Sequence, residues 1–127
     1  MIVLDTSLLV DSLAGPRRSA ANLRRAVELG ERIQIPALVL YEWRRGPRIP
    51  EELDAQETLF PSAEAIPFGV EEAAAAADLY RALENPRGRE VDIAIAACAI
   101  THEADLWTLN RTDFADLPGL SLYTNAA

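Results

Sequence analysis

The chain contains no lysine. All twelve of its basic residues are arginine, set against twenty acidic ones for a formal net charge of −8. A P-loop, whose lysine reaches the terminal phosphates, is therefore excluded; neither G-x-G-x-x-G nor G-x-S-x-G occurs, which sets aside a dinucleotide fingerprint and a hydrolase nucleophile elbow. There is one cysteine, Cys98, and one histidine, His102. No internal disulfide can form. The Cys98–His102 pair stands at i,i+4 spacing but lacks the further ligands that structural zinc requires, so packing or surface roles are expected. The longest pure apolar run, IAIAACAI at 93–100, is too short to cross a bilayer. No basic stretch opens the chain, and Asp5 interrupts MIVLDTSLLV, so the start does not read as a secretory signal. A reducing, cytoplasmic setting with no membrane partner is expected.

What is present describes a globular chain. Half of the 127 residues are hydrophobic and a quarter are charged, which suits a single domain over 1–127 with a real core. An acidic total argues against a nucleic-acid partner, because phosphate contact rewards positive charge. Two features oppose that argument. Arginine is the better planar clamp for phosphate, and clustered carboxylates can hold divalent cations, which reverse the local sign.

Apolar segments at 2–4, 32–35, 63–68, 105–109 and 120–124 read as strands. Helices are expected after Asp5, over 17–29 with Ala20, Leu23 and Val27 as the apolar stripe, from Pro36 through ALVLYEWRR to Gly46, near 50–59, over 70–84 and 88–104, and as a short turn at 111–116. Strands alternate with helices and lack polar alternation. The expectation is an α/β fold of three layers, α/β/α, around a mostly parallel sheet of about five strands.

Ligands of such sheets bind at the carboxyl ends of the strands. Four acids reach that edge by separate routes. Asp5 ends the first strand, Glu42 lies on the helix leaving the second, Asp92 opens the helix that returns to the fourth, and Asp113 follows the fourth. Each has an ordinary reading alone: Asp5 as a helix cap, Glu42 on a solvated face, Asp92 facing a helix dipole, Asp113 as a turn acid. Together, without a lysine to neutralise them, they cannot all stay ionised in a confined space. Divalent metal compensates, and oxygen-only ligands favour Mg²⁺ or Mn²⁺.

These residues resemble the PIN domain, in particular the toxin ribonucleases of the VapC type. The likeness rests on LDTS, LYEWRRG, GREVDIAIAACA and TLNRTDFADLPGL, and covers essentially the whole chain. It implies a Mg²⁺-dependent endoribonuclease, with Mn²⁺ an alternative ion, leaving 5′-phosphate and 3′-hydroxyl ends. Asp5, Glu42, Asp92 and Asp113 fall on the family's acidic quartet. Thr6 falls on its hydroxyl and Asn110 on its polar residue before the fourth acid; Asp116 is an extra carboxylate that could assist or replace Asp113. The resemblance also implies an RNA substrate of the tRNA or rRNA class, a small antitoxin partner, a homodimer, and a hetero-oligomer with the antitoxin. Candidate dimer surfaces are the helix 70–84, around Leu79, Tyr80 and Leu83, and the helix near 38–43.

Arg89, one turn before Asp92, and Arg44 and Arg45, just after Glu42, are candidates for RNA phosphate. Arg17, Arg18, Arg24 and Arg25 read more simply as a solvated face, and Trp43 and Trp107 as core or interface. Two rival readings stand beside the nuclease. A phosphoryl-aspartate phosphatase or receiver-like domain would use Asp5 as acceptor, but DTS lacks a second nearby aspartate and the chain lacks the lysine. A non-catalytic binding module would use the acidic mouth only to receive a basic partner.

Overall fold

A computed structural model of the chain describes residues 1–124. Strand β1 (Ile2–Leu4) is central. Strand β2 (Ile33–Gln34) and strand β3 (Asp105–Trp107) flank it, both parallel to it, in the order β2-β1-β3. The register pairs Ile2 with Ile33 on one side and with Asp105 on the other, and Leu4 with Trp107. All three β1 side chains are buried, each worth about 1.5–3 kcal/mol of apolar transfer. That explains a strand of only three residues with no polar alternation.

Among the described residues, the sheet has three strands rather than about five. The two missing ones survive as single bridges at the outer edges: Pro36 with Ile66 and Leu106 with Leu122, both parallel. The segment 63–68 donates from Ile66 N to Ile35 O (2.9 Å) and accepts at Ile66 O from Ala37 N (2.8 Å), then leaves the sheet. A 3₁₀ turn at Ser62–Glu64 precedes it, and Pro67 cannot donate to a ladder. Around Leu122, Leu106 N donates to Ser121 O and Tyr123 N donates to Leu106 O, both 2.8 Å.

Among the described residues, seven α-helices surround the sheet: α1 (Thr6–Leu13), α2 (Ala20–Glu28), α3 (Ala37–Arg45), α4 (Pro50–Leu59), α5 (Val70–Ala82), α6 (Glu90–Thr101) and α7 (Arg111–Phe114). Pro36 and Pro50 stand at or just before the first turns of α3 and α4, where a missing N–H costs nothing. At the start of α5, Glu72 accepts from Gly69 N (2.9 Å), and Glu52 does the same for Ile49 N (3.0 Å) at α4. In α2 the buried residues are Leu23 and Ala26; Val27, expected on the inner stripe, is half exposed. Leu79 belongs to the core, while Tyr80 and Leu83 are only partly buried against it, so the candidate dimer surface on this helix is open in part. Trp43 and Trp107 are both core.

Helix α6 carries the deepest packing. Ile93 through Ala99 are all buried, and the helix touches β1, β3, α3, α5 and α7. Its small alanines allow that close approach. Cys98 lies in this stretch, fully buried, and burial with Glu72 nearby pushes its thiol up to about 11. His102 pairs with Glu72 at 3.2 Å rather than with Cys98.

Candidate active site

A parallel sheet brings its strand ends to one edge. Because Leu4 is paired with Trp107, the residues that follow, Asp5 and Thr108, are neighbours, and Asp5 N donates to Trp107 O at 3.0 Å. Asp5 occupies the cap position of α1, and its carbonyl accepts from Leu8 N and Leu9 N. Its carboxylate does not cap the helix. Oδ2 accepts from Ser7 Oγ at 2.8 Å and from Thr108 Oγ1 at 2.7 Å. Each hydroxyl has one proton and gives it to Asp5. The 3.3 Å approach between the two oxygens is therefore a contact enforced by a shared acceptor. In turn Ser7 Oγ accepts from Leu109 N (3.1 Å) and Thr108 Oγ1 from Asn110 N (3.0 Å). Backbone N–H dipoles thus reach a carboxylate that is only 4 % exposed through two hydroxyl relays.

Thr6 faces the other way. Its Oγ1 donates to Glu42 Oε1 at 2.5 Å, joining the start of α1 to α3. Arg45 approaches Glu42 Oε2 at 3.4 Å while stacking over Tyr41 at 5.3 Å. Arg44 is exposed.

Asp92 is the third residue of α6. Burial pushes its carboxyl above the ordinary 3.8, and Asp5, Glu42 and Asp113 each push it further in the same direction; Arg89 pulls it back. Three of the acids singled out from the sequence, Asp5, Glu42 and Asp113, thus lie close enough to Asp92 to act on it electrostatically. Asp113 lies on α7, exposed, with its N–H bonded to Asn110 O at 3.0 Å. Asn110 stands at the cap position of that helix. Asp116 is engaged elsewhere: Arg89 binds both of its oxygens, at 2.7 and 3.0 Å. That hydrogen bonding holds the Asp116 carboxyl below its usual range.

The donor type, though not its present spacing, suits a hard divalent cation. The set consists of carboxylate oxygens, one of them buried, and they repel one another in the absence of a counter-charge. Among the described residues, no three Asp, Glu, His or Cys side chains stand close enough to share an ion as they are placed.

The PIN domain family matches residues 2–120. This chain is a PIN domain. It is 37% identical over 125 residues to Ribonuclease VapC19 of Mycobacterium tuberculosis, a match covering 94% of this chain and 97% of that protein. Among solved structures it resembles VapBC2 from Rickettsia felis, crystallised with a promoter DNA fragment, at 27% identity and TM-score 0.80; 97% of this chain and 98% of that one are covered. A toxin-antitoxin complex from Klebsiella pneumoniae shares the fold at 24% identity and TM-score 0.73, covering 99% and 98%.

Within this PIN domain, sequence reasoning singled out Thr6 but reached neither Ser7 nor Thr108. The signal for Ser7 was the second hydroxyl in LDTS. The signal for Thr108 was a hydroxyl set between the apolar Trp107 and Leu109 of DLWTL, one place beyond the register partner of Leu4.

Proposed function

We propose that this PIN domain is a metal-dependent endoribonuclease that hydrolyses RNA phosphodiester bonds and is inhibited by a small cognate antitoxin. The observation that carries the reading is the convergence of Asp5, Glu42 and Asp113 on a carboxyl, Asp92, that burial and their charges push upward. The VapC19 relationship supports the nuclease assignment, and the likeness to VapBC2 supports the partner.

Asp5, Glu42, Asp92 and Asp113 would hold Mg²⁺ or Mn²⁺, which when bound lowers the pKa of water and offsets charge on the phosphate and the leaving 3′ oxygen. The protein's own part is placement. Ser7 and Thr108 fix Asp5 in one orientation, so its free oxygen is presented without reorganisation. Thr6 does the same for Glu42. Asp92 keeps a proton more readily than an isolated aspartate until a cation or Arg89 offsets its neighbours. Arg44 and Arg45 border the mouth at the end of α3, where an RNA phosphate can reach them. Single-stranded RNA of the tRNA or rRNA class, whose loops expose the backbone, suits an open edge of this kind.

For the antitoxin, a groove of about 600 Å³ lies between α1, α2 and α4. Leu13, Leu23, Val27, Leu59 and Phe60 provide its apolar lining, with Arg17, Arg24, Glu31, Glu51 and Glu52 among the charged residues that border it. A peptide with an apolar stripe would cover Val27 and Leu59. A second copy would pack on the exposed face near Phe68 and Tyr80, where a shallower apolar hollow of about 410 Å³ opens.

The test is brief induction in cells followed by sequencing of 5′-phosphate RNA ends, with Asp5→Asn as control. Discrete new ends that require Asp5, and that purified protein reproduces with Mg²⁺ but not with EDTA, are expected. Equal cleavage by Asp5→Asn, or undiminished cleavage in EDTA, overturns the assignment.

A further inference from the structure

Arg89 precedes α6 and reaches across to the segment that follows β3. Its guanidinium binds both Asp116 carboxylate oxygens, at 2.7 and 3.0 Å, and the same nitrogen that makes the shorter bond also donates to the backbone carbonyl of Asp113 at 2.9 Å. A two-pronged arginine–carboxylate pair fixes direction as well as distance, which a lysine could not do. Helix α7 is a single turn of four residues. It is held from below by Phe114 and Leu117, both buried, and at its side by Arg111, which donates to Tyr123 O at 2.9 Å. Arg89, at the cap of α6 and three residues from Asp92, ties this segment to the start of that helix.

We infer that Arg89 and Asp116 form a clamp whose role is to position Asp113 against Asp92. Arg89 is a positioning residue, and Asp116 is its anchor and not a fourth acid. The inference rests on the nuclease reading for its kinetic consequence but not for its structural one. It departs from the expectation that Arg89 contacts RNA phosphate, because its bonding edge is spent on the protein: two prongs on Asp116 and one on the Asp113 carbonyl.

The two roles separate experimentally. Arg89→Gln, Asp116→Asn and the double variant are prepared in the full chain, together with the exchanged pair Arg89→Asp/Asp116→Arg. Hydrogen exchange is measured over 110–117, and cleavage of a short RNA with Mg²⁺ gives kcat and KM. The clamp requires that Arg89→Gln and Asp116→Asn each speed exchange at Asp113 and Leu117 about tenfold, the range expected for loss of a charge-assisted bond. It also requires that each lower kcat by about tenfold or more with KM little changed, as misplacement of a reacting group does. The double variant should be no worse than either single, and the exchanged pair should recover part of the loss. If Asp116→Asn cleaves as well as wild type while Arg89→Gln raises KM, Arg89 is a phosphate contact and the clamp is overturned. Unchanged exchange in both variants overturns it as well. Faster exchange in variants of a chain whose wild type cuts no RNA leaves the clamp standing and removes the nuclease reading.

Discussion

Thr108→Val deletes one hydroxyl and keeps nearly the same shape. In the wild type that hydroxyl donates to Asp5 at 2.7 Å and accepts from Asn110 N at 3.0 Å. Thr108 is 3 % exposed and Asp5 4 %, so water cannot easily replace the lost donor. A hydrogen bond to a charged group contributes about 1.5–3 kcal/mol, and the half-buried Asn110 amide adds about 0.5–1. The added methyl returns about 0.8 kcal/mol by burial. The net cost is then about 2 kcal/mol, which for a chain of this length lowers Tm by roughly 6–10 °C. Ser7→Ala should cost less, since the 2.8 Å bond it removes is only partly buried. The decisive measurement is the double variant, followed by thermal and urea unfolding at pH 7. Each single leaves Oδ2 one donor; the double leaves it none. The double should therefore exceed the sum of the singles by about 1 kcal/mol, and adding Asp5→Asn should relieve that excess by removing the stranded charge. A Thr108→Val protein that melts within about 1 °C of wild type, or strictly additive singles, would refute the relay.

Other outcomes follow from the same structure. Asp92→Asn should abolish RNA cleavage yet raise Tm at pH 7: a carboxyl raised above 3.8 in the folded state favours folding below that value and loses the contribution as pH rises through the folded one, so the variant's advantage should vanish on acidification. Glu72 behaves oppositely. Burial pushes it up, but the Gly69 N–H, the Thr101 hydroxyl and His102 outweigh that and hold it below 4.5. Its contribution is present above 4.5 and lost as pH falls through the lower folded value. Glu72→Gln should cost about 1–2 kcal/mol at pH 7, with the Tm gap closing in acid. Val27→Asp, at a half-exposed groove position, should weaken antitoxin binding at least tenfold in calorimetry while leaving RNA cleavage unchanged, one uncompensated charge against an apolar stripe being worth more than about 1.4 kcal/mol.

The helices were legible because their ends are written in local chemistry: Pro36 and Pro50 at starts, Gly46 and Gly30 after ends. Strand β1 and the two strands that pair with it were legible as short, mainly apolar segments. The segments at 63–68 and 120–124 have the same composition, but each pairs on one side only, and a lone bridge leaves no distinct sequence pattern. The acids were singled out because three of the four follow or open an element at the same sheet edge. Their supports were not. Thr108 meets Asp5 across 103 positions of chain, through a strand register that no local pattern encodes, and Arg89 meets Asp116 across 27. A carboxylate near the mouth, such as Asp116, reads in sequence as a ligand whether it faces the site or an arginine.

The burial of Cys98 gives this chain a built-in stopwatch. With its thiol at about 11, roughly one molecule in ten thousand carries a thiolate at pH 7, and none of the sulfur is exposed to a reagent. A maleimide or aromatic disulfide can mark the protein only when α6 comes away from its neighbours. Because the chain has a single cysteine and no lysine, each covalent mark records one opening of one molecule at a known place, with no competing side-chain amine. That place is the helix that carries Asp92. The labelling rate therefore times how often the acidic edge comes apart, in the wild type and in every variant above, without an added probe.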